Sequence, residues 1–244
     1  MLVLVDHRPN YSTGENQMLD LRLPTHRRGF LGRVAAGAAA VGLSGLVAPL
    51  GLVAESRPAE DPAFEGWLNK ITGKHKAMYD APEVNGGFGL IWARVFLNTA
   101  NETYGTTDAD NTAAVVLRHF AAPLALGDAM WAKYKFGDML KVTDARTNAP
   151  AVRNTFAHQL PAEQLIPGTG IEELLAKGVL IGVCNVALTV IAGMVAKTAG
   201  APATGESVKR EFLANLLPGI QVVPSGVLAV NRTQEKGCTY CFAG

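Results

Sequence analysis

Two apolar runs in this chain end in residues able to do chemistry. "GVLIGV" runs from Gly178 into Cys184 and Asn185, and "NTAAVVLR" runs from Asn111 into His119. If both runs are neighbouring parallel strands, a thiol and an imidazole reach the same sheet edge, where open α/β sheets bind their ligands near a topological switch. An adjacent imidazolium raises the thiolate fraction of a cysteine, and the start of a following helix favours negative charge. That combination suits a nucleophilic or sulfur-carrying Cys184 with His119 beside it. The same thiol also suits an inert core position, because free cysteines are among the most buried residues. Asn185, directly after the strand, requires a partner or a capping role.

The remaining candidates are weaker. Cys238 and Cys241 form "CTYC", readable as two independently buried thiols, a redox pair, or half of a four-thiolate metal site that no second CxxC completes. In a strand, two residues three apart face opposite ways, which disfavours a thioredoxin-like pair. His75 and His158 read as surface groups, while Asp80, Asp128 and Glu235 are candidates to orient or proton-couple to the histidines. No HxH or HExxH spacing points to a metal, and no cofactor site is expected: "NGGFG" lacks the rest of a nucleotide-binding fingerprint. No GxSxG elbow occurs; Ser207 reads as a helix cap and Ser225 as part of a turn.

Positioning these residues requires alternating strands and helices. The patterns predict a strand over "KHKAMYD", a helix over "GFGLIWARVFLNTANETYG", a strand ending at Arg118-His119, and a helix over "PLALGDAMWAKYKFG". Residues 141–169 read as a long irregular connection, of the kind that serves as a lid, a partner surface or an oligomer contact. A short helix follows over "IEELLAKG", then the strand ending at Cys184, then helices over "NVALTVIAGMVAKTAG" and "SVKREFLANLL". Strands are expected at "IQVV", "VLAVNRTQEKG" and "CTYCFAG". Such alternation predicts one layered α/β domain with a mostly parallel central sheet.

The 244 residues are 48% hydrophobic and 18% charged, enough to bury one substantial core. With 22 basic and 21 acidic residues, composition makes no case for a nucleic-acid partner. Residues 23–54 place Arg27, Arg28 and Arg33 before a run of small and apolar residues. That is the tripartite layout of an export signal, with cleavage expected after Ala54. Met18 is a candidate alternative start. Removing residues 1–54 takes five of the 22 basic and three of the 21 acidic residues, leaving 17 and 18, a formal charge of −1. The expected organisation is an N-terminal extension with a twin-arginine export signal over 1–54, a linker and packing segment over 55–73, and an α/β domain over 74–244. An exported address permits disulfides, and no stable membrane insertion is expected after processing.

Taken together, "KHKAMYDAPEVNGG", "VVLRHFAAPLALGDAMWAKYKFG", "VCNVAL" and "LLPGIQVVPSGVLAVNRTQEKGCTY" resemble exported proteins of the DsrE/DsrF-like sulfur-relay superfamily, over Lys74 to the C-terminus. The resemblance implies a three-layer, flavodoxin-like α/β fold with helices on both faces, a periplasmic homo-oligomer, and sulfane sulfur carried as a persulfide. Cys184 matches the carrier position, with Asn185 after it and His119 ending the preceding strand. It implies a sulfur donor or acceptor protein as partner. The alternatives left open by the residues are a small-ligand binding or assembly module with a structural Cys184, and a thiol-disulfide protein using Cys238 and Cys241.

Overall fold

The computed structural model describes residues 61–199 and 202–244. The expectations for the leader, its cleavage after Ala54, the start at Met18 and the first part of the 55–73 linker lie outside the described residues. Among the described residues, no helix is long and apolar enough to cross a membrane.

The chain forms the expected three-layer α/β architecture. Its central sheet holds β1 (His75–Ala81), β2 (Asn111–Leu117), β5 (Leu180–Cys184), β6 (Gln221–Val223) and β7 (Thr239–Phe242), in the order β6-β5-β2-β1-β7. Every pairing is parallel. The first three crossovers all step the same way across the sheet. Right-handed crossovers therefore put their helices on one face, and only the long return from β6 to β7 puts a helix on the other. The first group is α2 (Phe88–Tyr104), α3 (Asp128–Tyr134), α4 (Phe136–Leu140), α5 (Ile171–Ala176), α6 (Asn185–Ala199) and α7 (Gly205–Ala214); the return helix is α8 (Gly226–Glu235).

Two apolar cores follow from this asymmetry. The larger unites Leu90 and Leu97 of α2, Trp131 of α3, Leu188 and Ile191 of α6 and Phe212 of α7 with Val115, Leu117 and Ile181 of the sheet. The smaller packs Met78, Ala114 and Val116 against Ala229 of α8 and against Phe64, Trp67 and Leu68 of α1 (Pro62–Leu68). Within the expected 55–73 segment the packing part is this helix, which Asp61 caps through the N–H groups of Ala63 and Phe64 and whose first turn Pro62 suits.

Three local expectations are corrected. "PLALGDAMWAKYKFG" is not one helix: a 3-10 segment (His119–Ala125) contains Pro123, and Lys135 between α3 and α4 adopts a left-handed conformation with φ 52°. Thr204, rather than Ser207, caps α7, its hydroxyl accepting from the Ser207 N–H at 3.1 Å while Ser207 Oγ accepts from the Thr204 N–H at 3.0 Å. "VLAVNRTQEKG" is α8, not a strand. The hydroxyl of Ser225 caps it through the Leu228 N–H at 3.1 Å. Ala229 and Thr233, one helical turn apart, are its buried stripe, whereas Val227 and Leu228 face outward.

The 141–169 connection is held by ion pairs between its own side chains. A two-stranded hairpin pairs β3 (Thr143–Asp144) with β4 (Ala149–Pro150). Arg153 donates to Asp144 at 2.7 and 2.9 Å and to Glu163 at 2.6 Å, while Arg146 also grips Glu163. These bonds pull both carboxyls below their usual range, Glu163 to about 2 through Arg146 first of all. Asn154 carries the segment onto the core by donating to the Leu124 and Leu126 carbonyls, both at 2.8 Å.

Candidate functional site

At the carboxyl end of the sheet, β2 and β5 are neighbours with Leu117 paired to Val183. One step further along that register lie Arg118 and Cys184. Cys184 ends β5, and the chain turns directly into the 15-residue α6. Its Sγ accepts the N–H of Ala187 at 3.2 Å. The thiol thus takes the place of an N-cap acceptor for one of the N–H groups that the first turn of a helix leaves unpaired.

A cavity of about 230 Å³ opens at this point. Arg118, His119 and Phe120 form one side, and Cys184 lies in its wall with Val186, Val190 and Met194 of α6. Ser225, Gly226 and Val227 close it from the start of α8. The structure therefore brings Cys184 and His119 to one concavity. Asn185 is the first residue of α6 and does not line it; its carbonyl accepts the Thr189 hydroxyl at 2.8 Å.

The cation placed by the strand register is Arg118 rather than His119. Its Nε and Nη2 donate to the two carboxylate oxygens of Asp80 at 2.6 and 2.9 Å, and Tyr240 donates its hydroxyl to Asp80 Oδ2 at 3.0 Å. Asp80 is 4% exposed and Arg118 28% exposed, so water screens the fork from one side only. These bonds raise the guanidinium pKa above its ordinary value, with a smaller coulombic contribution from Cys184 in the same direction. The arginine stem lies against Gly226 so closely that a Cβ there would sit 2.5 Å from Arg118 Cβ. Glycine at the start of α8 is what lets the arginine pass.

His119 instead leaves the sheet with φ 49°, in the left-handed region. Such a conformation in a non-glycine residue stores strain and occurs often at functional turns. Its side chain is 59% exposed, its Nδ1 is 3.0 Å from Glu83 Oε1, and its ring meets Phe120 edge-on. The acidic residues expected to serve the histidines do other work. Asp80 holds Arg118, Asp128 Oδ1 accepts the Asn154 N–H at 2.9 Å, and Glu235 pairs with Arg232.

The other histidines stay apart from the cavity. His158 is exposed beside Glu172, as a surface group. His75 is half-buried rather than a surface group, its ring stacked on Tyr104 at 4.4 Å. Among the described residues no three His, Cys, Asp or Glu side chains converge as metal ligands.

Cys238 and Cys241 are both free thiols and are not brought together. Tyr240 pairs with Met78 and Cys241 with Tyr79, so alternation puts Cys238 with the smaller core and Cys241 against the larger. Burial pushes the Cys238 thiol up to about 11, and it pushes Tyr79 upward as well.

Sequence reasoning had Arg118 and Asp80 in view but gave them other parts, and it missed Tyr240 and Gly226. No local pattern signals the grouping, which comes from the register: Asp80 pairs with Val116, two residues before Arg118, and is itself paired with Phe242, two residues after Tyr240. All three side chains therefore belong to one face of the sheet. The topological reversal lies between β1 and β7, so Asp80 and Tyr240 occupy the switch point while the cavity opens beside it.

A second concavity of about 360 Å³ lies between Val84-Asn85-Gly86 and the 140–163 segment. Its Arg153 and Glu163 are bonded to each other, and among the described residues its lining holds neither a thiol nor an imidazole, unlike the Cys184 cavity. No protein-family model matches the chain, and no curated protein matches it.

Proposed function

We propose that the cavity handles sulfane sulfur on Cys184. The observation that carries this reading is a thiol seated as the N-terminal acceptor of a long helix, in the wall of an open cavity that it shares with a fixed guanidinium. In the step, the Cys184 thiolate attacks the outer sulfur of a persulfide donor, R–S–SH. The donor's S–S bond breaks and its electron pair leaves with R–S⁻, while the proton stays on the transferred sulfur, giving Cys184–S–SH. An acceptor thiolate then takes that sulfur and returns the electron pair to Cys184. Neither half needs an outside oxidant or reductant.

Within this reading, the N–H groups of α6 favour the thiolate, and Arg118 gives the departing anion a partner. Because Asp80 neutralises most of the arginine's net charge, its contribution is local and directional. The reading also takes the protein to act after export, as a homo-oligomer that passes sulfur to a second protein's thiol. The test is intact mass after polysulfide exposure of a Cys238→Ser/Cys241→Ser variant, with and without Cys184→Ser. A gain of one sulfur atom in the first alone supports the reading; no gain in the first overturns it.

One observation favours a second reading, a ligand-binding module in which Cys184 only caps α6. The thiol is just 6% exposed, and most of the cavity wall is apolar. On that reading the thiol is silent toward polysulfide.

A further inference from the structure

The cavity wall is chemically lopsided. Val186, Val190 and Met194 stand one helical turn apart on α6, each between 42% and 46% exposed, and Val227 faces them from α8 at 65%. Isolated apolar side chains on a surface require no explanation, but a row along one helix that lines a cavity does. At one end of this row stands Arg118, the only arginine or lysine of the lining among the described residues. Asp80 occupies its Nε and Nη2, and Nη1 makes no hydrogen bond among the described residues. The pairing with Asp80 and the close pass over Gly226 hold the guanidinium in place, so a ligand would not have to order it.

We infer that the cavity binds a small amphipathic anion, its charged head on Arg118 and an aliphatic body of several carbons along Val186, Val190 and Met194. The volume of about 230 Å³ suits a compact molecule rather than a peptide or a nucleotide. Charge complementarity selects an anion over a neutral alkane, and the apolar row selects a chain over a bare inorganic ion.

This inference deepens the sulfur reading, on which its chemical step rests, by putting in place of the generic persulfide donor a class that the cavity can hold: an aliphatic thiosulfonate, R–SO2–S⁻. The Cys184 thiolate attacks the terminal sulfur, the S–S bond breaks, and the electron pair leaves with the sulfinate R–SO2⁻. Cys184 is left as the persulfide anion, and the sulfinate departs against Arg118.

Binding is tested apart from reaction by calorimetry on the full chain carrying Cys184→Ser, with hexanesulfonate and methanesulfonate as unreactive probes. Each methylene that leaves water adds about fourfold in affinity, so hexanesulfonate is expected to bind at least thirtyfold more tightly than methanesulfonate. Val190→Asp, on an exposed position that leaves the core intact, is expected to weaken hexanesulfonate about tenfold by setting a carboxylate in the apolar row. Arg118→Met is expected to abolish binding. Should that variant fail to fold because Asp80 loses its partner, Val190→Asp and the chain-length series decide the matter alone. Equal affinity for the two probes overturns the inference, as does a Val190→Asp variant that binds hexanesulfonate unchanged. It is also overturned if neither probe binds and Val190→Asp dissociates an oligomer, since a second copy then covers the row. Polysulfide loading of Cys184 without hexanesulfonate binding removes only this inference. Hexanesulfonate binding without any Cys184-dependent sulfur gain removes only the sulfur reading.

Discussion

Cys184 and Cys238 are equally enclosed, each 6% exposed, yet they sit in opposite chemical settings. Cys238 precedes β7 within the smaller core, among Met78, Val116 and Ala229, where burial lifts its thiol to about 11. Cys184 ends β5 with a helix N–H on its sulfur, a guanidinium beside it and a cavity in front. Exposure alone would treat the two alike. What separates them is whether dipoles and charges surround the sulfur, since these decide the stability of a thiolate.

The largest way to break this contrast is native-state alkylation. With Cys241 replaced by serine, Cys238 is expected to react with iodoacetamide at pH 7 about a hundredfold more slowly than an ordinary thiol, because burial lifts it to about 11, and Cys184 is expected to react faster than Cys238. Peptide mass spectrometry over time reads both sites. Equal rates would mean that the cavity gives Cys184 no advantage.

Gly226→Ala sharpens the contrast from one side only. Its Cβ would displace the Arg118 stem, and the alkylation rate of Cys184 is expected to fall about tenfold while that of Cys238 is unchanged. A slower Cys238 as well would point to general loosening of α8 instead.

The ionic staple of the 141–169 segment supplies a pH test that should leave both thiols alone. Glu163 titrates near 4.5 when unfolded and near 2 when folded, so its bonds stabilise the native state above about pH 4.5. That contribution fades as the pH falls from about 4.5 toward 2. Discounted for screening, it amounts to about 1–2 kcal/mol. Glu163→Gln is expected to flatten the pH dependence of the urea midpoint across that window and to leave the alkylation ratio at neutral pH as it was.

Tyr240→Phe has the smallest expected effect. Removing one hydrogen bond to Asp80 costs about 1 kcal/mol, and Cys184 is expected to slow only two- to threefold, because the bidentate Arg118 contact survives. A denaturation curve and the same alkylation assay check the two parts.

Much of this molecule was legible in its residues. The strand ending at Cys184 and the one ending just before Arg118, the helix Phe88–Tyr104 and the α/β layering follow from apolar runs and periodicity that need no partner to be recognised. Helix α8 was misread because "VLAV" carries strand-like residues, whereas the deciding feature is the Ser225 cap acting on Leu228. The site was half legible. Cys184 and His119 could be placed at strand ends, but the guanidinium beside the thiol is Arg118, since His119 turns out of the sheet to meet Glu83.

By itself, then, the sequence determined the alternation of elements and the chemical identity of the residues at the strand ends, because local patterning encodes which segments are buried and where they stop. Only the tertiary structure decided that Asp80, Tyr240 and Gly226 would converge on Arg118, from positions 38, 122 and 108 residues away in the chain. That convergence depends on strand order and register, which are set by long-range pairing and crossover direction rather than by any local pattern. The same pairing made one of two equally buried cysteines the wall of a cavity and the other part of a core.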